Sequence, residues 1–118
     1  MNITQRIIVL DAADIDAESR FWASVLGGTV DAADDDWHRV HAGGEYVLAV
    51  QLAPDHVPPQ WPEGTPPQQI HLDLHVDDIG AAHEEVLAAG ATLLKRGSED
   101  ERFHVYADPA GHPFCLCW

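Results

Sequence analysis

LHVDDIGAAHEEVLAAGA, residues Leu74 to Ala91, repeats an earlier part of the same chain, LDAADIDAESRFWASVLGG, residues Leu10 to Gly28. Asp14-Ile15-x-Ala17 returns as Asp78-Ile79-x-Ala81, 64 positions later. In each copy an apolar run enters, an acidic turn opens a helix and a glycine closes it. The repeat predicts two copies of one supersecondary unit, with the chemistry expected where the halves face each other.

Working outward, Ile3 to Leu10 is rich in Ile and Val and predicts a strand buried on at least one side. Asp14 is the expected N-cap of the first helix, Asp16 and Glu18 sit near its positive end, and Phe21, Trp22, Val25 and Leu26 form its apolar stripe. Gly27-Gly28 should stop it. Three strands are predicted next, over Thr29 to Ala33, Trp37 to His41 and Tyr46 to Leu52. The second unit repeats the order, with strand Gln69 to Val76, helix Ile79 to Ala89 and strands near Thr92 to Lys95, Phe103 to Ala107 and Pro113 to Trp118. Asp108-Pro109-Ala110-Gly111 has the chemistry of a turn joining the last two strands. The reading is α+β: one domain over residues 1–118, built of βαβββ modules 1–53 and 68–118. Linker 54–67 holds six of the eight prolines.

The chain has 118 residues, 46% of them hydrophobic, enough for one domain with a real core. Twenty acidic residues against six basic ones give a formal net charge of −14, a field that repels nucleic-acid phosphates and anionic membranes. No apolar run approaches the roughly 20 residues of a membrane span, and the N-terminus lacks a signal-peptide pattern. A cytoplasmic protein is expected. Cys115 and Cys117 lie two apart on one predicted strand, so joining them would close no long loop and a structural disulfide is not expected.

In QIHLDLHVDD, Ile70, Leu72, Leu74 and Val76 alternate with His71, Asp73 and His75. A strand sends the first set into the helix-packed core and the second to the opposite face. Two imidazoles and a carboxylate could bind a divalent metal, but His71 and His75 are spread by roughly 13 Å along a strand, so all three cannot reach one ion. The same groups could equally be hydrogen-bonded inside a polar barrel. Trp22 belongs to the core, whereas Trp37, Tyr46, Trp61 or Tyr106 would have to supply any stacking surface. A nucleophilic role for Cys115 is disfavoured, because an acidic field raises a thiol pKa.

The paired βαβββ order, the helix from Asp14 through Phe21-Trp22 to Leu26-Gly27, the strand His71-Leu72-Asp73-Leu74 and the ending Asp108-Pro109-x-Gly111-x-x-Phe114-Cys115 together resemble the vicinal oxygen chelate superfamily. That superfamily includes glyoxalases, bleomycin-resistance proteins and extradiol dioxygenases. The resemblance implies an eight-stranded arrangement in which each module curls into half a barrel around a central cavity. Metal-dependent members place ligands on the first and last strands of each module. Carried over, these positions are His71 and Cys115 in the second module and Ile7 with Gln51 or Ala49 in the first. Ile7 cannot bind a metal, so a complete centre for zinc, nickel or iron is not expected; His71, Gln51 and Cys115 are the residues left for a weak one.

The expectation is therefore a small-molecule-binding protein without a cofactor, its cavity lined by His71, Asp73, His75, Gln51, Cys115, Trp37 and Tyr106. With few cations nearby, a neutral or cationic ligand is favoured. The alternatives are a metal-dependent lyase, isomerase or dioxygenase, or a metal-free enzyme using His71 and Asp73 as an acid–base pair. A homodimer is expected from the resemblance and from the apolar last strand, Phe114 to Trp118, read as an edge that would otherwise be exposed.

Overall fold

A computed structural model describes all residues from Met1 to Trp118. The chain divides into two compact units, Met1–His56 and Val57–Trp118. In the first, β1 (Ile8–Ala12), α1 (Ile15–Val25), β2 (Thr29–Asp31), β3 (Trp37–Ala42) and β4 (Glu45–Leu52) form a four-stranded sheet of order β1-β4-β3-β2. In the second, β5 (Leu72–His75), α2 (Ile79–Ala89), β6 (Thr92–Lys95), β7 (Phe103–Ala107) and β8 (Pro113–Cys117) give the order β5-β8-β7-β6. Both units are βαβββ, both sheets stay open, and in each the first strand runs parallel to the last. No helix is long and apolar enough to cross a membrane.

The duplicated turn works as its residues require. Asp14 Oδ1 accepts from the Ala17 amide at 3.0 Å, and Asp78 Oδ1 accepts from the Ala81 amide at 3.0 Å. Each satisfies a donor that the first turn of a helix leaves without an intrahelical partner. The helices end where the chain enters the left-handed region, at Gly27 with φ 66° and Gly90 with φ 120°, conformations without steric cost only for glycine.

The two helices pack very differently. α1 buries Ile15, Glu18, Ser19, Phe21, Trp22 and Ala23, with the Phe21 and Trp22 rings edge to face at 5.3 Å. Glu18 is fully buried and accepts the Trp22 Nε1–H at 3.0 Å, which gives a buried carboxyl oxygen a hydrogen-bond partner. α2 buries only Val86.

Several expectations need correction. β1 starts at Ile8 rather than Ile3, because its ladder to β4 begins with Ile8 opposite Leu48; Ile3, Ile8 and Val9 are exposed. β5 starts at Leu72 rather than Gln69, because its parallel partner β8 begins at Pro113 and pairs Leu72 with Phe114. Ile70, expected in the core, precedes the strand and is 67% exposed. The last strand is no edge: β8 lies between β5 and β7, which removes that argument for a dimer. β2 is also shorter than read, ending at Asp31, whose Oδ1 accepts the Ala33 amide at 3.1 Å and turns the chain. The proline-rich segment folds back on itself, with Gln60 bridging Pro67 and the Gln60 amide donating to the Pro66 carbonyl at 2.8 Å.

Because the caps are equivalent, Asp14→Ala and Asp78→Ala should each cost about 1 kcal/mol of unfolding free energy in urea titrations followed by circular dichroism. A change near zero for either would show that its cap contributes nothing.

Candidate functional site

The sheet of the second unit has two faces of opposite character, set by strand alternation. Leu72 and Leu74 of β5, Phe114 and Leu116 of β8, and His104 and Tyr106 of β7 share one face; Asp73, Cys115, Val105 and Phe103 share the other. Parallel pairing sets Asp73 opposite Cys115. His71, two residues before Asp73, joins them: its Nε2 is 3.3 Å from Asp73 Oδ1, and the ligand atoms of His71, Asp73 and Cys115 all lie within 4.8 Å of one another.

Two of the three, His71 and Cys115, line a cavity of about 230 Å³ together with Trp61, Gln68, Phe103 and Val105. The walls are largely hydrocarbon and ring with a few polar groups, the usual composition of a small-molecule site. Cys115 is 8% exposed, while the side chains of His71 and Asp73 are 42% and 51% exposed. The thiol is the fixed part of the cluster and the other two are its accessible part. Lys95 lies over the Phe103 ring at 5.2 Å and is paired with Glu101 at 2.8 Å, which largely neutralises that cation.

Burial pushes the Cys115 thiol up to about 12, and the neighbouring Asp73 carboxylate adds to the effect. Cys117 is raised for the same two reasons in the same order. Cys115 is therefore a neutral thiol at physiological pH, a weak hydrogen-bonding group and a poor nucleophile. Next to it, Asp73 and His71 can accept from or donate to a polar ligand.

The remaining expected lining residues fall elsewhere. Gln51 and Trp37 belong to the first unit, as cross-strand partners on β4 and β3, and Trp37 Nε1–H donates to Tyr46 Oη at 3.2 Å. His75 pairs with Cys117 at the exposed end of β5, beside a shallow groove with the start of α2. Tyr106 is on the wrong face of β7 for this cavity. It is fully buried against Phe114, with ring centroids 5.4 Å apart, and its hydroxyl is 2.8 Å from His83 Nδ1. Of the three residues left for a weak metal site, His71 and Cys115 come together, with Asp73 beside them, and Gln51 belongs to the first unit. Gln68, Phe103 and Val105 went unrecognised in the sequence; the parity of β7 against β8 is the signal that could have found the last two.

Comparison with known proteins agrees with this architecture. Among curated proteins none matches the chain's sequence. Among solved structures, the chain is similar to the fosfomycin resistance protein FosX from Mesorhizobium loti, with a TM-score of 0.69, 16% identity, and 99% of this chain and 92% of that chain covered. It is similar to a glyoxalase-related enzyme from Fulvimarina pelagi, with a TM-score of 0.69, 21% identity and coverage of 98% and 88%. It is also similar to the bleomycin-binding protein of Streptomyces verticillus, solved with copper(II)-bleomycin, with a TM-score of 0.61, 24% identity and coverage of 99% and 97%. At such identities the likeness concerns the fold. The family model of the glyoxalase-like domain matches residues 7–117, and the chain belongs to that family, within the vicinal oxygen chelate superfamily.

Proposed function

We propose that this protein binds a small neutral or cationic organic molecule on the His71–Asp73–Cys115 face, and that binding rather than metal-dependent turnover is its primary activity. The observation that carries the reading is an imidazole and a neutral thiol in the lining of a cavity of about 230 Å³ with largely apolar walls, with a carboxylate within 4.8 Å of both. Asp73 supplies negative charge, Trp61 and Phe103 supply ring surface suited to a cation or an aromatic group, and Lys95 is already paired. The bleomycin-binding relative is a binding protein by its name, which supports the same class of activity. A cytoplasmic homodimer is the accompanying proposal, resting on family resemblance alone.

A second reading has its own observation. His, Asp and Cys are suitable donors for zinc, and three protein ligands with an open fourth position are the pattern of a catalytic zinc site. Tetrahedral zinc at about 2.0–2.3 Å needs donors about 3.3–3.8 Å apart, so the present separations, up to 4.8 Å, close with inward movement of about 1 Å. The exposed His71 and Asp73 side chains have room for that movement. The residues fit the ion: His71, Asp73 and Cys115 would hold it. Bound there, a metal would polarise ligand oxygens as a Lewis acid. His71 and Asp73 would then position rather than move protons.

A matched series of benzylamine, benzyl alcohol and benzoate, followed through the His71 imidazole by NMR, tests the first reading. Saturable shifts are expected for the amine and the alcohol and none for benzoate. Asp73→Asn should weaken the amine about tenfold and leave the alcohol within twofold, because a desolvated ion pair is worth more than a neutral hydrogen bond. Shifts only with benzoate would overturn it. Incubation with zinc, nickel or ferrous iron, dialysis and metal analysis separates the second reading from the first. The binding reading expects well under one ion per chain, whereas one tightly held ion, lost in Cys115→Ser, would establish the metal site.

The thiol offers an independent check. In a Cys117→Ser background, alkylation of Cys115 by iodoacetamide at pH 8 should be about a thousandfold slower than for a free cysteine, since a pKa near 12 leaves little thiolate. Asp73→Asn should speed it several-fold.

A further inference from the structure

The opposite face of the same sheet holds a second polar cluster. His83 on α2, His104 on β7 and Arg96 just after β6 border a cavity of about 560 Å³, with Trp118, Ile79 and Ser98 also in its lining. Comparison of the two modules shows what is unusual about it. The helix position of His83 is Ser19 in the first module, and His104, the second residue of β7, answers to His38, the second residue of β3. In the first module the pair is closed: Ser19 Oγ and His38 Nδ1 are 2.9 Å apart and both residues are buried. In the second module the imidazole rings stand 6.1 Å apart, and the space between helix and sheet opens outward.

The hydrogen bonds fix which atoms face that space. The Gly97 amide donates to His104 Nδ1 at 3.0 Å, which leaves Nε2 to carry the proton of the neutral ring. Arg96, whose guanidinium can only donate, is 3.3 Å from His83 Nε2, so Nε2 accepts and the proton on Nδ1 goes to Tyr106 Oη at 2.8 Å. Arg96 spends one donor there and makes no ion pair, in a chain with 20 acidic residues against six basic ones. Arg39 and Lys95, by contrast, are paired with carboxylates.

We propose that this cavity is a second ligand site, which takes a small monocarboxylate held by the Arg96 guanidinium and the His104 Nε2–H, with its apolar part against Trp118 and Ile79. Guanidinium and carboxylate match as a bidentate pair, and the imidazole N–H adds a donor from a second direction. Glu84 and Glu99 also border the cavity, and with the net charge of −14 they select against dianions such as phosphate. Burial, foremost, and then nearby Arg96 hold the His104 pKa below its ordinary value, consistent with a neutral donor.

The test uses the full chain and NMR of the His83, His104 and His71 imidazoles, titrated with benzoate and, separately, with inorganic phosphate. Benzoate should saturably shift His104 and His83 and leave His71 unmoved. Arg96→Gln should weaken it at least tenfold, and Arg96→Lys, which keeps the charge but loses the fork, about threefold. The exposed side chain makes both substitutions tolerable, and circular dichroism checks that each variant is folded. A His104 signal that ignores benzoate, or shifts equally in Arg96→Gln, overturns the site. Tighter binding of phosphate overturns the monocarboxylate class. The His71 signal separates this outcome from the fate of the opposite face, because the two sites share no lining residue.

Discussion

The parallel pairing of β5 with β8 is the constraint on which the second unit depends. It connects the strand that opens the module to the strand that ends the chain, across 41 residues from Leu72 to Pro113, and its register sets Asp73 beside Cys115. A slip of one residue would turn every side chain of β5 to the other face, exposing Leu72 and Leu74 and burying Asp73 and His75. The apolar residues thus enforce the register, and the polar cluster is its by-product: Phe114 and Leu116, nearly inaccessible, hold β8 in place while Cys115 between them is carried to the cavity. The raised pKa of Cys115 has the same origin, since the burial that fixes the strand also desolvates the thiol.

Duplication explains why the two modules share a skeleton and differ in what they expose. Caps, glycine stops and strand order recur because each copy must meet the same backbone demands. Side chains between helix and sheet are free to diverge. In the first module Phe21, Trp22, Ser19 and His38 close that space, and burial of a large side chain of this kind contributes roughly 1.5–3 kcal/mol. On α2 only Val86 is buried, with Ala82, His83 and Ala89 half-buried, too little volume to fill the equivalent space. The cavity beside His83 and His104 is the consequence.

Much of this was legible in the amino-acid order. The repeat gave both helices within a residue and the βαβββ order, because capping and glycine stops are local signals. Strand ends were less legible where pairing decided them. Ile3 to Ile7 and Gln69 to His71 have strand-like composition at several positions but lie outside the ladders, and a parallel partner distant in sequence leaves no local mark. The expectation that His71, Asp73 and His75 cannot meet at one point agrees with the exposed, separate position of His75, yet the third donor of the group came from β8, which no spacing along β5 could reveal. Tyr106 was recoverable: the hairpin through Asp108 and Gly111 sets Ala107 opposite Pro113, and counting back pairs Tyr106 with Phe114, away from Cys115.

β7 is the structural link between the two faces. Its residues alternate, Phe103 and Val105 toward the His71 cavity and His104 and Tyr106 toward the helix side, so one strand of five residues supplies walls to both. A strand in that position cannot be altered for one site alone, since a backbone shift of a few tenths of an ångström moves side chains on both faces. Its neighbours resist such shifts unequally. On one side β8 is buried over four of its five residues, and on the other β6 is an edge strand with a register irregularity between Leu93 and Lys95. The better-packed side of β7 is therefore the one toward Cys115, and the less packed side is the one toward β6, next to the open helix-side cavity.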